Sequence, residues 1–151
     1  MKIASIINRK GHHFETVQES VPLIEAVAIM HRETIGSIGV SANRTPEIIG
    51  IVSQAELMAG IASRGIQGLL LPVITFARRD VLNCSCGDDA SHVMQAMTRM
   101  RSRHAIVRTA AGKVAGLVSM GDLVAALLEE AQLEAGVLRD LARSHILAAS
   151  A

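Results

Sequence analysis

The sequence predicts an α/β protein in which one strand-helix-strand-strand-helix unit is used twice. Three observations predict it. Glu47-Ile-Ile-Gly-Ile-Val-Ser-Gln-Ala-Glu-Leu57 and Lys113-Val-Ala-Gly-Leu-Val-Ser-Met-Gly-Asp-Leu123 share the pattern apolar-x-Gly-apolar-Val-Ser-x-x-acid-Leu, 66 residues apart. Upstream, Val27, Met30 and Ile38–Val40 match Met94, Met97 and Ala105–Val107 at an offset of 67. Within each copy, short apolar runs alternate with segments whose apolar residues recur three and four apart.

The elements follow in order. A leading strand is expected at Phe14–Val17, then a helix whose inner face carries Leu23, Ala26, Val27 and Met30, with Pro22 tolerated in its first turn. Ile38–Val40 and Ile48–Val52 read as strands joined by the turn-prone stretch Ser41–Pro46. Being apolar at nearly every position, Ile48–Val52 is expected to be buried on both faces. Ser53-x-x-Glu56 has the form of a capping box, an oxygen acceptor followed three residues later by an acid, and opens the next helix.

The second copy repeats this with a strand at Val81–Cys84 and a helix capped by Asp89. That helix carries Val93, Met94, Met97 and Met100 on one face, a spacing that favours core packing over metal binding. Strands at Ala105–Val107 and Val114–Val118 and the cap Ser119-x-x-Asp122 complete the copy. The expected division is a lead-in at 1–13, repeats at 14–64 and 81–130, a linker at 65–80 and a helical tail at 131–151. From Val124 onward, Val124, Leu127, Leu128, Ala131, Ala135, Leu138, Leu141 and Ala142 make an apolar stripe backed by charged residues. Gly136 weakens that helix by about 1 kcal/mol relative to Ala and is a candidate bend.

Composition narrows the function. Half of the 151 residues are apolar, yet there are only two Phe and no Trp or Tyr, so the core must be aliphatic. A net charge of +1 argues against nucleic-acid binding, and Arg99, Arg101 and Arg103, spaced two apart, cannot line one helix face. Cys84-Ser-Cys86 lacks the further ligands a metal site needs, and His12-His13 reads as a solvated loop. Leu69-Leu-Leu71 is too short to span a bilayer, and Asn8, Arg9 and Lys10 interrupt the N-terminal apolar residues too early for a signal peptide. A soluble, cytoplasmic protein without a membrane segment is expected. No nucleophile–base pair, metal constellation or Gly-rich phosphate loop is present, so no catalysis is expected.

The segment Gly116-Leu-Val-Ser-Met-Gly-Asp-Leu123, its counterpart in the first half, and Arg103-His-Ala-Ile-Val107 before it resemble the cystathionine-β-synthase (CBS) domain family. The likeness runs from about Lys2 to Glu130, with Ile106 where the family often has Pro. It implies a tandem CBS pair whose repeats pack through their sheets and leave two symmetry-related clefts. It further implies a regulatory, non-catalytic role and an adenosine ligand: AMP, ADP, ATP, NAD or S-adenosylmethionine. Homodimers are also implied, together with a downstream protein that the sequence does not name. A ligand-free structural module of the same fold is the alternative.

Carried onto this chain, the resemblance implies that Asp122 holds the ribose hydroxyls and that Ser119, with Arg103 and His104, meets phosphate. The chemistry is suitable. A helix N-terminus favours phosphate, a carboxylate accepts from a cis-diol, and Gly116 lets a ligand approach the backbone. Asn83 is the remaining candidate in the second repeat. In the first repeat the candidates are Glu56, Ser53, Gly50 and Thr16, with a longer acid and with Ser37 where His104 stands in the second. A weaker site is therefore expected there. Helix capping alone also accounts for both acids, at about 1 kcal/mol each.

Overall fold

Each of two compact units in the computed structural model, which describes residues 1–11 and 14–149, contains the strand-helix-strand-strand-helix order. His12-His13 and the last two residues of the tail lie outside the described residues. One unit is His12–Val81; the other combines Met1–Gly11 with Leu82–Ala151.

In the first of these units, β1 (Thr16–Gln18) leads to α2 (Leu23–Arg32), β2 (Ser37–Ser41), β3 (Ile48–Ser53) and α3 (Gln54–Arg64). The helix preceding them, α1 (Ile3–Lys10), belongs to the other unit. β1 pairs in parallel with β2, which requires a crossover, and α2 supplies it; β2 and β3 form an antiparallel hairpin. Leu23, Ala26 and Met30 are buried against Val17, Ile38, Val40 and Val52, as the three-and-four spacing predicts, while Val27 is only partly buried. Short 3₁₀ turns at Ile66–Leu70 and Val73–Thr75 close the unit, and Val73 is fully buried in its core.

The second unit repeats the plan with β4 (Leu82–Ser85), α4 (Ala90–Met100), β5 (His104–Arg108), β6 (Val114–Ser119) and α5 (Met120–Ala149). The register shift at Val107/Arg108 matches the one at Val40/Ser41 in the other unit. The expected lead-in forms α1, whose Ile3, Ile6 and Ile7 are buried with Val93, Met97, Val118 and Leu123. Met97 is fully buried and Met94 packs against the same cluster, but Met100, the last residue of α4, is exposed.

Two local expectations change. The Asp89 side chain makes no capping bond; it pairs instead with Lys2 at 3.0 Å. That hydrogen bond, with the nearby positive charges, outweighs the opposing effect of burial and holds its carboxyl below the usual range. Gly136 lies inside α5, which runs unbroken from Met120 to Ala149. Both helix exits before the second strand, Thr34 (φ 54°) and Arg101 (φ 50°), are left-handed without being glycine. At each exit the next amide folds back, Ile35 to the Met30 carbonyl and Ser102 to that of Met97.

Candidate functional site at the start of α5

β6 ends at Ser119 and α5 begins at once, so the change from strand to helix leaves free N–H groups at the junction. Ser119 and Asp122 answer each other there. Asp122 N–H donates to Ser119 Oγ at 3.1 Å. Asp122 Oδ2 accepts from Ser119 N–H at 2.7 Å and from Ser119 Oγ–H at 2.8 Å. The capping box read from the sequence is formed. A further group joins it: Lys10 Nζ, at the end of α1, donates to Asp122 Oδ2 at 2.6 Å and to the Leu117 carbonyl at 3.2 Å. Burial works to raise the Asp122 pKa. The Lys10 and Ser119 hydrogen bonds and the lysine charge outweigh it, so the carboxyl is held below its usual value.

His104 stands opposite Ser119 in the β5–β6 register, and the Arg103 carbonyl accepts the Met120 amide at 2.9 Å. Strand alternation puts His104 and Ser119 on the face shared by Ile106 and Leu117, away from the core row Ala105, Val107 and Val118. The Arg103 backbone, His104, Ser119 and Asp122 thus converge on one end of this sheet. Gly116 is buried opposite Val107 in the same strand pair. Asn83 goes elsewhere. Its Oδ1 accepts from Arg108 Nε at 2.7 Å, and it lines a cavity of about 260 Å³ with Cys84, Asp88, Asp89 and His92, to which neither Ser119 nor Asp122 contributes.

In the first repeat, Ser53 N–H donates to Glu56 Oε2 at 2.9 Å, Ser53 Oγ donates to the same oxygen, and Ala55 N–H donates to Ser53 Oγ at 3.3 Å. This is a closed capping box, and among the described residues no cation pairs with Glu56. The room left at Gly50 is taken by the chain itself: a Cβ there would lie 3.0 Å from the Arg78 carbonyl oxygen. Thr16 pairs with Gly39, one register step from the Val40–Gly50 pair, and the Phe14 ring covers Gly39. The two acids therefore sit in matching boxes but unlike surroundings.

Sequence reasoning missed Lys10. It lies 112 positions from Asp122, outside the duplicated pattern, so no spacing could connect them. Cys84 and Cys86 are free thiols, and burial first, then Asp88 and Cys86, pushes Cys84 up to about 12. Among the described residues no group of three or more His, Cys, Asp or Glu is placed to hold a metal. No helix among them is long and apolar enough to cross a membrane.

A duplicated β-α-β-β-α unit closing on a Ser-x-x-acid helix cap defines a tandem repeat module of the kind the sequence resembles. The CBS domain family matches twice, at residues 4–63 and 73–129, and the chain belongs to it. A CBS-domain protein from Agrobacterium tumefaciens is 29% identical in sequence; the match covers 83% of this chain and 97% of that one, with a TM-score of 0.76. A CBS-domain protein from Pyrobaculum aerophilum, solved in complex with AMP, is 20% identical over 87% of this chain and 99% of its own (TM-score 0.74). The CBS domain pair of protein MJ0100, solved with 5′-methylthioadenosine and S-adenosylmethionine, is 15% identical over 86% and 98% (TM-score 0.74).

Proposed function

We propose that this chain is a non-catalytic regulatory module that binds an adenine nucleotide at the start of α5, with the ribose at Asp122 and the phosphate beside Ser119. The observation that carries this reading is the Ser119–Asp122 junction, where a carboxylate, a helix N-terminus and the adjoining Lys10 and His104 meet at one sheet end. Family membership and the adenosine ligands of the Pyrobaculum and MJ0100 proteins support it. AMP, ADP, ATP, NAD and S-adenosylmethionine are the candidates; no metal is invoked.

Thermal shift against these compounds is the first test. A ligand at a hundred times its Kd stabilises the protein by about 2.7 kcal/mol. Asp122→Ala should abolish calorimetric binding while the circular dichroism of the fold is kept. A variant that binds every adenosine compound as the parent does removes Asp122 from the site.

A second reading, a dimerisation module without ligand, draws on α5. Val124, Leu128 and Leu138 are exposed on one stripe of that helix. In either reading a homodimer using this face is expected. Light scattering of the full chain and of a truncation ending at Glu130 tests it. A full-length monomer at tens of micromolar rejects the dimer, and an unaffected dimer after truncation removes the tail from its interface.

A further inference from the structure

Lys10 closes α1, and α1 is fixed to its unit. Ile3, Ile6 and Ile7 are buried, and the Ile3 and Ala4 amides donate to the Asp88 and Cys86 carbonyls at 3.0 and 2.9 Å. The Lys10 backbone is therefore anchored while its four-carbon stem remains free to turn. Its ammonium nevertheless sits at the positive end of the α5 dipole, where a cation is disfavoured. The Asp122 carboxylate, 2.6 Å away, is what holds it there.

Asp122 Oδ2 takes three donors: Lys10 Nζ, Ser119 N–H and Ser119 Oγ–H. A carboxylate oxygen has two lone pairs, so this atom is saturated. A ribose diol gripping both carboxylate oxygens must displace one donor from Oδ2. Ser119 cannot yield easily, because its N–H is set by the β6–α5 junction and its Oγ also receives the Asp122 amide. Lys10 can yield, and the Leu117 carbonyl at 3.2 Å keeps its ammonium near the junction when it does. Once displaced it needs a new anion. In the first repeat no cation among the described residues stands against Glu56, so this exchange belongs to the Asp122 junction alone.

We propose that Lys10 makes this site select an anionic adenosine ligand: it neutralises Asp122 while the site is empty and passes to the ligand's phosphate when the ribose takes the carboxylate. The proposal rests on the nucleotide reading above. An uncharged nucleoside breaks the ion pair and offers nothing in return; a nucleotide replaces one anion with another.

Calorimetric titration of the full chain with adenosine and with AMP tests it in the parent, Lys10→Met and Lys10→Arg. The parent should prefer AMP. Lys10→Met should cut that preference roughly tenfold, the worth of one charge-assisted hydrogen bond, with adenosine binding tighter than in the parent. Lys10→Arg should retain the preference. A purely structural role would weaken both probes together and leave their ratio unchanged; a ratio within about twofold of the parent's in Lys10→Met therefore overturns the proposal while the nucleotide reading stands. If the parent binds neither probe, the reading fails and the role of Lys10 falls with it.

Discussion

Replacing Asp122 with Asn removes one charge from the β6–α5 junction while keeping an oxygen that accepts from Ser119. Its cost can be worked from the geometry. The lost ion pair to Lys10 is partly screened, since the two side chains are 38% and 27% exposed, and exposed pairs contribute about 0.2–1 kcal/mol. The lost carboxylate in the first turn of α5 forfeits a further 0.3–1 kcal/mol or so of dipole interaction. The sum is about 0.5–2 kcal/mol, or a Tm lowered by roughly 1–8 °C for a chain of this size. A double-mutant cycle with Lys10→Met separates the pair from the dipole, and its coupling should be about 0.5–1 kcal/mol at pH 7 by urea unfolding. The pH dependence has a definite sign. Asp122 has its folded pKa lowered from 3.8, so its contribution is complete above the unfolded value. It is lost as pH falls from about 3.8 through the folded value, and the coupling must shrink there. A coupling indistinguishable from zero at pH 7, or one unchanged well below 3.8, refutes this account of the junction.

Four other outcomes are expected. Glu56→Ala should lower stability by about 1 kcal/mol through loss of the Ser53 box but leave the tighter nucleotide-binding event in place, checked by calorimetry. Thr34→Gly should raise the urea midpoint, because removing a left-handed β-branched residue relieves about 1–2 kcal/mol against roughly 0.5–1 kcal/mol of added chain entropy. Gly60→Ala should lower it despite the better helix propensity, since the new Cβ would meet three atoms of the Phe76 ring at 2.9–3.3 Å. In the folded protein at pH 8, iodoacetamide should modify Cys86 well before Cys84, whose thiol is buried and titrates near 12; equal rates by mass spectrometry would contradict that burial.

The duplicated pattern made the fold legible because each copy encodes its own local structure. Helical spacing placed Leu23, Ala26, Met30, Val93 and Met97 in the cores, and both Ser-x-x-acid boxes form as written. What escaped was long-range or conformational. Nothing in Thr34 or Arg101 signals a left-handed exit, because neither is the residue type that adopts it cheaply; the shared return of the next amide imposes it. Position alone marks Asp89 as a cap, but Lys2, distant in sequence and bridged to it in the fold, takes its carboxylate instead.

The same long-range competition separates the two acids. Ser53/Glu56 and Ser119/Asp122 are alike in pattern, and both satisfy their helices. Of the two, Asp122 alone pairs with a lysine, delivered by α1. A cap requires no cation, and the helix dipole opposes one, so capping alone does not explain why Lys10 is there. The pair ties the end of α1 to the β6–α5 junction. The asymmetry between the repeats, visible in the sequence as Glu against Asp and Ser37 against His104, therefore extends in the structure to whether a cation pairs with the acid.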